Sequence, residues 1–317
     1  MRILVLGAGA TGGYFGGRLV EAGCDVTFLV RPARAERLSE TGLIVESPLG
    51  DIRRPVRAIT AEALAPDYDV VLLSCKAFDL DDAIATISTA MAPGAKVLPV
   101  LNGMKHLDRL DTALGASHVL GGLCQIAATL APDGTVRHLN QAHVLAFGHR
   151  DESQRPFCEE LQSSMLGARI DVRRSETIIH DMWEKWVMLA TLAACTCLMR
   201  APVGDIVAAP GGEPFIIAML DEAQAVATAN GNAAPSKLME RLRTMLTERG
   251  SSFAASMLRD LEAGGRIEAD HIIGDLLRRG REQGIDTPLL GVAYAHLKAY
   301  EVRRERLAQE ARVKVAV

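Results

Sequence analysis

A glycine-rich loop near the N-terminus restricts the fold more than any other feature of this chain. Residues 3–6 form a short run of branched apolar side chains, which is typical of a strand buried on both faces. Gly7, Gly9 and Gly12 follow with the spacing G-x-G-x-x-G, and small and apolar residues then recur at helical spacing to residue 20. This order of strand, loop and helix predicts a dinucleotide-binding βαβ unit.

Each glycine of the loop has a separate physical role in such a unit. Gly7 permits a tight turn, Gly9 lets a pyrophosphate approach the backbone, and Gly12 lets the helix pack closely on the strand. The helix N-terminus adds N–H groups and the positive end of its dipole. The alternative is a loop that serves only as a turn. The predicted cofactor-binding loop consists of Gly7, Ala8, Gly9, Ala10, Thr11 and Gly12.

The residue after the second predicted strand, residues 24–30, bears on the choice of cofactor. Arg31 stands where domains that prefer NAD usually have an acidic residue for the ribose 2′-hydroxyl. The planar fork of an arginine instead matches the oxygens of a 2′-phosphate. The sequence therefore favours NADP(H) over NAD(H), with a solvated arginine as the alternative.

Two more polar side chains follow predicted strands, where doubly wound sheets bind their ligands. Lys76 comes shortly after residues 69–74 and could contact a cofactor phosphate or ribose, although a surface lysine fits the pattern nearly as well. Asn102 follows residues 96–101, and its amide could donate and accept hydrogen bonds near the nicotinamide. Asn-Gly is also a common tight turn, so both interpretations of Asn102 stay open.

The pattern changes from strand-like to helix-length segments at about residue 175. We therefore predict an α/β protein with an N-terminal Rossmann-type domain, residues 1–174, followed by an all-helical domain, residues 175–317. In the first domain we expect a hairpin of residues 42–46 and 52–58, helices at 82–91 and 157–166, strands within 119–148, and a last strand at 168–172. In the second we expect helices at 178–200, 213–231, 235–248, 268–284 and 289–310.

Composition excludes several classes of partner. A net charge of −4 argues against a nucleic-acid surface or an anionic membrane, and residues 186–199 are too short an apolar stretch to span a bilayer. The histidines lack metal-ligand spacing, so no metal is predicted. Scattered cysteines and the absence of a signal-peptide pattern predict a cytoplasmic protein. The helical segments leave room for a homodimer contact, but the oligomeric state is not readable from the sequence.

Lys185 is the most informative residue outside the loop. The chain has 28 arginines but only 7 lysines, yet this lysine begins an otherwise almost entirely apolar helical segment. The pKa of a desolvated lysine falls, so such a side chain can donate a proton near neutral pH. The alternative is a lysine that covers apolar surface while its ammonium stays in water. Two further polar residues have ordinary structural explanations. Ser256 can be a small helical residue, and Glu268 can be a carboxylate that interacts with the positive dipole end at a helix start.

Together these residues resemble the 2-dehydropantoate 2-reductases, also called ketopantoate reductases, over nearly the whole chain. The resemblance implies that a small-molecule 2-oxo acid and a nicotinamide meet in a cleft between two domains. It rests on residues 7–13, Arg31, Lys76, residues 100–103, 183–185, 256–260, 265–270 and 284–288.

The family pattern also implies roles for individual residues. Lys185 matches the proton donor of the family, and Asn102 matches an asparagine that contacts both cofactor and substrate. Ser256 matches a substrate-binding serine, and Glu268 a glutamate bonded to the nicotinamide ribose. In the implied reaction, hydride passes from NADPH to the carbonyl carbon while Lys185 protonates the developing alkoxide.

Four positions depart from that pattern. Leu189, Ala193, Val203 and Phe253 stand where the family typically has asparagines. We therefore expect a natural substrate more apolar than ketopantoate, and an apolar wall that depresses the pKa of Lys185. The alternatives are an opine-type or 3-hydroxyacid dehydrogenase, or a catalytically silent NADP(H)-binding sensor or scaffold.

Overall fold

The computed structural model describes residues 1–315, and these form two compact units. The first unit consists of Met1–Leu101 and Lys105–Met182, and the second of Asn102–Met104 and the chain from Trp183 onward. The first contains both strands and helices, whereas every regular element in the described part of the second is a helix. The predicted fold class, a Rossmann-type domain followed by a helical one, is confirmed.

The first unit combines strands with helices. The strands are β1 (Arg2–Leu6), β2 (Asp25–Leu29), β3 (Leu43–Glu46), β4 (Ile52–Arg54), β5 (Arg57–Ile59), β6 (Tyr68–Leu73), β7 (Met91–Pro99), β8 (Gly121–Leu130), β9 (Val136–Gly148) and β10 (Asp171–Arg174). The helices are α1 (Ala10–Glu21), α2 (Pro32–Thr41), α3 (Leu80–Ile87), α4 (Lys105–Leu114) and α5 (Arg155–Ser164).

Five strands form a parallel sheet in the order β5-β2-β1-β6-β7. The chain moves outward from β1 in one direction through β2 and β5, and in the other through β6 and β7. The strand order therefore reverses between β1 and β6. In open parallel sheets, ligands bind beyond the carboxyl ends of the strands at such a point.

A second sheet has the order β10-β9-β3-β4, and β8 pairs with β9. Residues 119–148 supply β8 and β9, which belong to this sheet, and a bridge from Val97 to Val119 links the region to β7. The predicted hairpin of 42–46 with 52–58 is only partly correct. Pro55, which has no N–H to donate, follows β4, and Arg57–Ile59 then pairs with β2 in the first sheet.

Helix α1 packs between the two sheets because its glycines lie on both of its faces. A Cβ added at Gly16 would lie 2.6 Å from the Phe28 ring of the first sheet. A Cβ at Gly13 would lie 2.8 Å from Val136 Cγ2 of the second sheet. The run of paired glycines after the loop thus lets two sheets approach one helix closely.

The second unit is built from helices. They are α6 (Ile178–Met199, of which the residues from Trp183 belong here), α7 (Val203–Ala208), α8 (Gly212–Ala229), α9 (Ser236–Leu246), α10 (Ser256–Glu262), α11 (Asp275–Glu282) and α12 (Pro288–Val315). A π-helical turn, Asp270–Gly274, precedes α11. The short helix α7 was not predicted. Within the described residues, no helix combines the length and the apolar character needed to cross a membrane.

Candidate active site

The three loop glycines occupy very different surroundings. Gly7 has a φ of +93°, in the left-handed region that favours glycine, and its N–H donates to the Leu29 carbonyl at 2.9 Å. A Cβ at Gly12 would lie 2.2 Å from the Gly7 oxygen and 2.4 Å from Ser74 Oγ. A Cβ at Gly9 would meet no atom within 4 Å. The turn and the helix packing therefore require Gly7 and Gly12, while Gly9 borders open space.

The N-terminus of α1 is arranged to receive an anion. Gly9 is the N-cap residue, no side chain caps the helix, and its first turn holds no acidic residue. A helix start of this kind presents backbone N–H groups and a positive dipole end. The open space at Gly9 lies at the same point, so the loop fits the pyrophosphate of a dinucleotide.

Arg34 supports the loop, and sequence reasoning missed it. Its Nε and Nη2 donate to the Ala8 carbonyl at 3.2 and 3.0 Å. Burial, and then the positive charge of Arg37, lower the pKa of Arg34 below its usual value. The available signal was its position three residues after Arg31, in the first turn of α2.

Arg31 and Lys76 follow two strands that flank β1. Arg31 is the N-cap residue of α2, its side chain is 84% exposed, and its Nη2 lies 3.6 Å from Asp79 Oδ1. Lys76 is half-buried and begins the short 3₁₀ turn Ala77–Asp79 after β6. Both residues therefore lie with the glycine loop beyond the carboxyl ends of neighbouring strands.

In the second unit, Lys185 and Asn102 form a direct side-chain pair. Lys185 Nζ donates to Asn102 Oδ1 at 3.0 Å, across 83 positions of sequence. Both residues are half-buried, and Asn102 begins the short stretch that joins this unit. The amide oxygen thus accepts from the ammonium, and an amide also carries two donors. A simple Asn-Gly turn would not require this contact.

The π-helical turn holds the neighbours of both residues. Trp186, next to Lys185, donates from Nε1 to the Ile272 carbonyl at 3.0 Å in a buried hydrogen bond. Gly103, next to Asn102, has a φ of +74°, and a Cβ there would lie 3.0 Å from the His271 carbonyl oxygen. The turn therefore fixes the backbone on each side of the Lys185–Asn102 pair. Nothing in the sequence indicated a π-helical turn.

Glu268 lies two residues before the same turn. Its carbonyl accepts from the N–H groups of His271 at 3.2 Å and Ile272 at 2.9 Å, and the residue is 7% exposed. The structure therefore brings Glu268 into the segment that positions Lys185 and Asn102. The backbone of a largely buried glutamate thus takes part in the hydrogen bonds of this segment.

A charged and aromatic cluster braces the turn of α6 that carries Lys185. The Trp183 and Trp186 rings are 4.9 Å apart, and the Arg279 guanidinium lies 5.8 and 5.9 Å from their centroids. The buried carboxylate of Asp275 accepts from Arg279 Nε at 3.0 Å. The ring contact and the paired guanidinium restrict the side chains of Trp183 and Trp186, which lie on either side of Lys185 in the sequence.

Ser256 begins a helix whose start is hydrogen-bonded to α6. It is the first residue of α10, and the preceding Ala255 N–H is 3.4 Å from Thr196 Oγ1. Thr196 follows Lys185 by three helical turns, or about 16 Å along the axis. The residue that precedes Ser256 is therefore in contact with the last turn of α6.

The four apolar positions divide into two kinds. Val203 N–H donates to the Phe253 carbonyl at 2.9 Å, so these two residues are neighbours. Ala193 and Val203 are 0% and 1% exposed and belong to the core. Leu189 and Phe253 are half-buried and keep accessible apolar surface. Of the four residues, only these last two keep accessible side-chain surface.

No three His, Cys, Asp or Glu side chains among the described residues lie together in a way that could hold a metal ion. The geometry offers two other arrangements: an anion cradle at a helix start in the first unit, and an ammonium–amide pair in the second.

Two family models together match most of the chain: ketopantoate reductase PanE/ApbA over residues 3–152, and its C-terminal domain over residues 177–301. The chain is similar to an uncharacterized oxidoreductase of Bacillus subtilis, YkpB, with 34% identity over 96% of this chain and 100% of that protein. It is 26% identical to a 2-dehydropantoate 2-reductase of Nostoc, over 94% of this chain and 95% of the other.

A solved structure agrees with these matches. The PanE/ApbA family ketopantoate reductase from Ralstonia eutropha superposes with a TM-score of 0.86 and 28% identity, covering 96% of this chain and 100% of that one. The predicted resemblance is confirmed, and the chain belongs to the ketopantoate reductase family of oxidoreductases.

Proposed function

We propose that the protein reduces a 2-oxo acid to the corresponding 2-hydroxy acid with NADPH. The 3.0 Å contact between Lys185 Nζ and Asn102 Oδ1, in a chain of this family, carries the proposal. Reduction of a carbonyl group needs a proton donor at its oxygen, and an ammonium is a strong one. An adjacent amide orients that ammonium and offers donors of its own.

The loop from Gly7 to Gly12 is proposed to hold the pyrophosphate of NADPH through backbone N–H groups. The open space at Gly9 and the uncapped start of α1 support this assignment. Arg31 and Lys76 supply cations for its phosphates, and Asn102 and Glu268 are proposed to contact its nicotinamide end. When bound, the reduced nicotinamide supplies the hydride.

Lys185 is proposed as the catalytic acid. Its ammonium donates a hydrogen bond to the substrate carbonyl oxygen, stabilises negative charge there as the carbon is reduced, and transfers one proton to give the hydroxyl. The neutral amine then regains a proton from water. Asn102 holds Nζ in place by accepting its second hydrogen bond. The partial burial of Lys185 is proposed to lower its pKa and so ease the proton transfer.

The substrate is proposed to have an apolar side chain. Leu189, one turn beyond Lys185 on the same helix face, and Phe253 offer accessible apolar surface. Burying a hydroxyl group against such surface without a partner is unfavourable, whereas burying a methyl group is favourable. Ser256 is proposed to provide one polar contact to the substrate.

A panel of 2-oxo acids with aliphatic, aromatic and hydroxylated side chains tests this function through the loss of NADPH absorbance. We expect consumption with the apolar members and a kcat/KM for them above that for ketopantoate. If ketopantoate had the highest kcat/KM of the panel, the proposal of an apolar substrate would be refuted. Tight NADPH binding without consumption by any member would refute the reductase and favour a silent NADP(H)-binding protein.

A further inference from the structure

The cofactor end of the first unit holds a carboxylate beside its arginine. Asp79 Oδ1 lies 3.6 Å from Arg31 Nη2. Arg31 follows β2 and Asp79 follows β6, the strands on either side of β1, so the ion pair joins the two sides of the strand that leads into the glycine loop. Any group that binds to the Arg31 guanidinium therefore comes within reach of Asp79.

The Asp79 side chain is directed toward Arg31 although another role was available to it. Asp79 is the N-cap residue of α3, where an aspartate normally accepts from backbone N–H groups of the first turn. Its side chain makes no such capping bond. The side chain is 32% exposed, against 84% for that of Arg31, so the carboxylate is the more buried member of the pair.

We propose that Asp79 determines the cofactor preference of this site and lets it accept NADH as well as NADPH. The proposal rests on the dinucleotide binding proposed above. A 2′-phosphate that approaches Arg31 has to displace Asp79 and then stays close to its negative charge. A ribose 2′-hydroxyl instead finds in Asp79 the acidic acceptor that NAD-binding domains ordinarily place at the end of the second strand.

The attraction of a 2′-phosphate by Arg31 and its repulsion by Asp79 are both weak, which explains why the site would accept both NADPH and NADH. Exposed ion pairs contribute little to stability, so the Arg31–Asp79 contact yields readily to a ligand. Repulsion between two exposed anions is screened in the same way and weakens NADPH binding only several-fold. The arginine and the carboxylate together thus reduce discrimination between the two cofactors without excluding either.

Fluorescence titration of the full chain with NADPH and NADH, without substrate, measures the effect directly. For Asp79→Asn, which removes the charge but keeps an acceptor, the Kd for NADPH should fall about three- to tenfold. The Kd for NADH should change by less than about twofold, because the acceptor remains. For Asp79→Ala, the Kd for NADPH should also fall, while the Kd for NADH should rise about threefold.

Asp81→Asn is the matched control. Asp81 lies two residues further along at the same helix start, is exposed, and pairs with Arg109. Its loss removes the same charge but should leave the ratio of the two Kd values unchanged. If Asp79→Asn shifts that ratio no more than Asp81→Asn does, the role of Asp79 is refuted while dinucleotide binding stands. If the wild-type chain binds neither cofactor, both proposals are refuted.

Discussion

The glycine loop of the first unit and the lysine pair of the second prepare their chemistry in opposite ways. The loop acts through the backbone: glycine at Gly7 and Gly12 allows a turn and a close packing that any Cβ would prevent. The second arrangement acts through side chains, with Lys185 and Asn102 meeting across 83 positions and a π-helical turn fixing their neighbours. Backbone sites are therefore sensitive to an added atom, and side-chain sites to a removed one.

Removing the Lys185 ammonium tests the side-chain half of this comparison and should have the largest effect. For Lys185→Ala, kcat with the best 2-oxo acid should fall about 10²- to 10⁴-fold, since the proton donor is lost. The Kd for NADPH should change by less than about threefold, because the glycine loop is untouched. Stopped-flow or steady-state kinetics and cofactor titration measure the two quantities.

Lys237→Ala serves as the control for that experiment. Lys237 is an exposed lysine of α9, so its loss removes the same charge at a surface position. Both kcat and the NADPH affinity should stay at wild-type values. If Lys185→Ala retained more than about a tenth of wild-type kcat, general-acid catalysis by this side chain would be excluded.

The glycine loop should respond to one added carbon in two distinct ways. Gly12→Ala puts a Cβ 2.2 Å from the Gly7 carbonyl oxygen, a backbone atom, so we expect a loss of about 3 kcal/mol in the free energy of unfolding. Gly9→Ala meets no atom and has a φ of −82°, so stability should change by less than about 1 kcal/mol. Its NADPH Kd should nevertheless rise about tenfold or more, because the methyl group occupies space needed by the pyrophosphate.

Thermal unfolding and NADPH titration of both variants separate these effects. Both tryptophans, Trp183 and Trp186, lie in the second unit, so their emission reports on the Lys185 region independently of the loop. A Gly9→Ala variant that bound NADPH as tightly as wild type would show that the pyrophosphate does not approach this residue. A fully stable Gly12→Ala variant would show that α1 can shift away from β1.

The difference between the glycine loop and the Lys185–Asn102 pair also explains which parts of the structure could be predicted from the sequence. Strand, loop and helix are contiguous, so periodicity and glycine spacing were sufficient to predict β1, α1 and β2 and the α/β class. The break of the predicted strand at 52–58 was not foreseen, because Arg57–Ile59 pairs with β2 from a distant part of the sequence. The packing role of the paired glycines of α1 likewise could not be predicted, because it depends on a sheet lying on each side of the helix.

The site of the second unit was predictable mainly by resemblance. Lys185 stood out by composition, but its pairing with Asn102 depends on a three-residue stretch joining the helical unit. Arg34, Trp186 and the π-helical turn were missed because their roles are hydrogen bonds to backbone carbonyls, which leave no residue pattern. Burial separated Leu189 and Phe253 from Ala193 and Val203, a distinction that sequence spacing does not contain.

The smallest expected effect concerns a polar cluster against α1, where the first unit relies on side chains as well as on glycines. Tyr14 is fully buried, and its hydroxyl lies 3.0 Å from His143 Nδ1. Partial burial, with the neighbouring His138 and Arg18, lowers the pKa of His143, against a smaller opposite effect of Asp171. Protonation of His143 is therefore less favourable in the folded chain than in the unfolded one.

The sign of the pH dependence follows from this lowered pKa. Between the native pKa of His143 and its usual value of about 6.5, the unfolded chain binds more protons, so stability falls as the pH falls through that window. His143→Gln should reduce the loss of Tm on acidification from about pH 7.5 to about pH 5, by a margin worth less than about 1 kcal/mol after solvent screening. Tyr14→Phe should lower Tm but keep the wild-type slope, because burial and not the hydroxyl is the main cause of the shift. If His143→Gln kept the wild-type slope, the acid sensitivity would have to come from other groups.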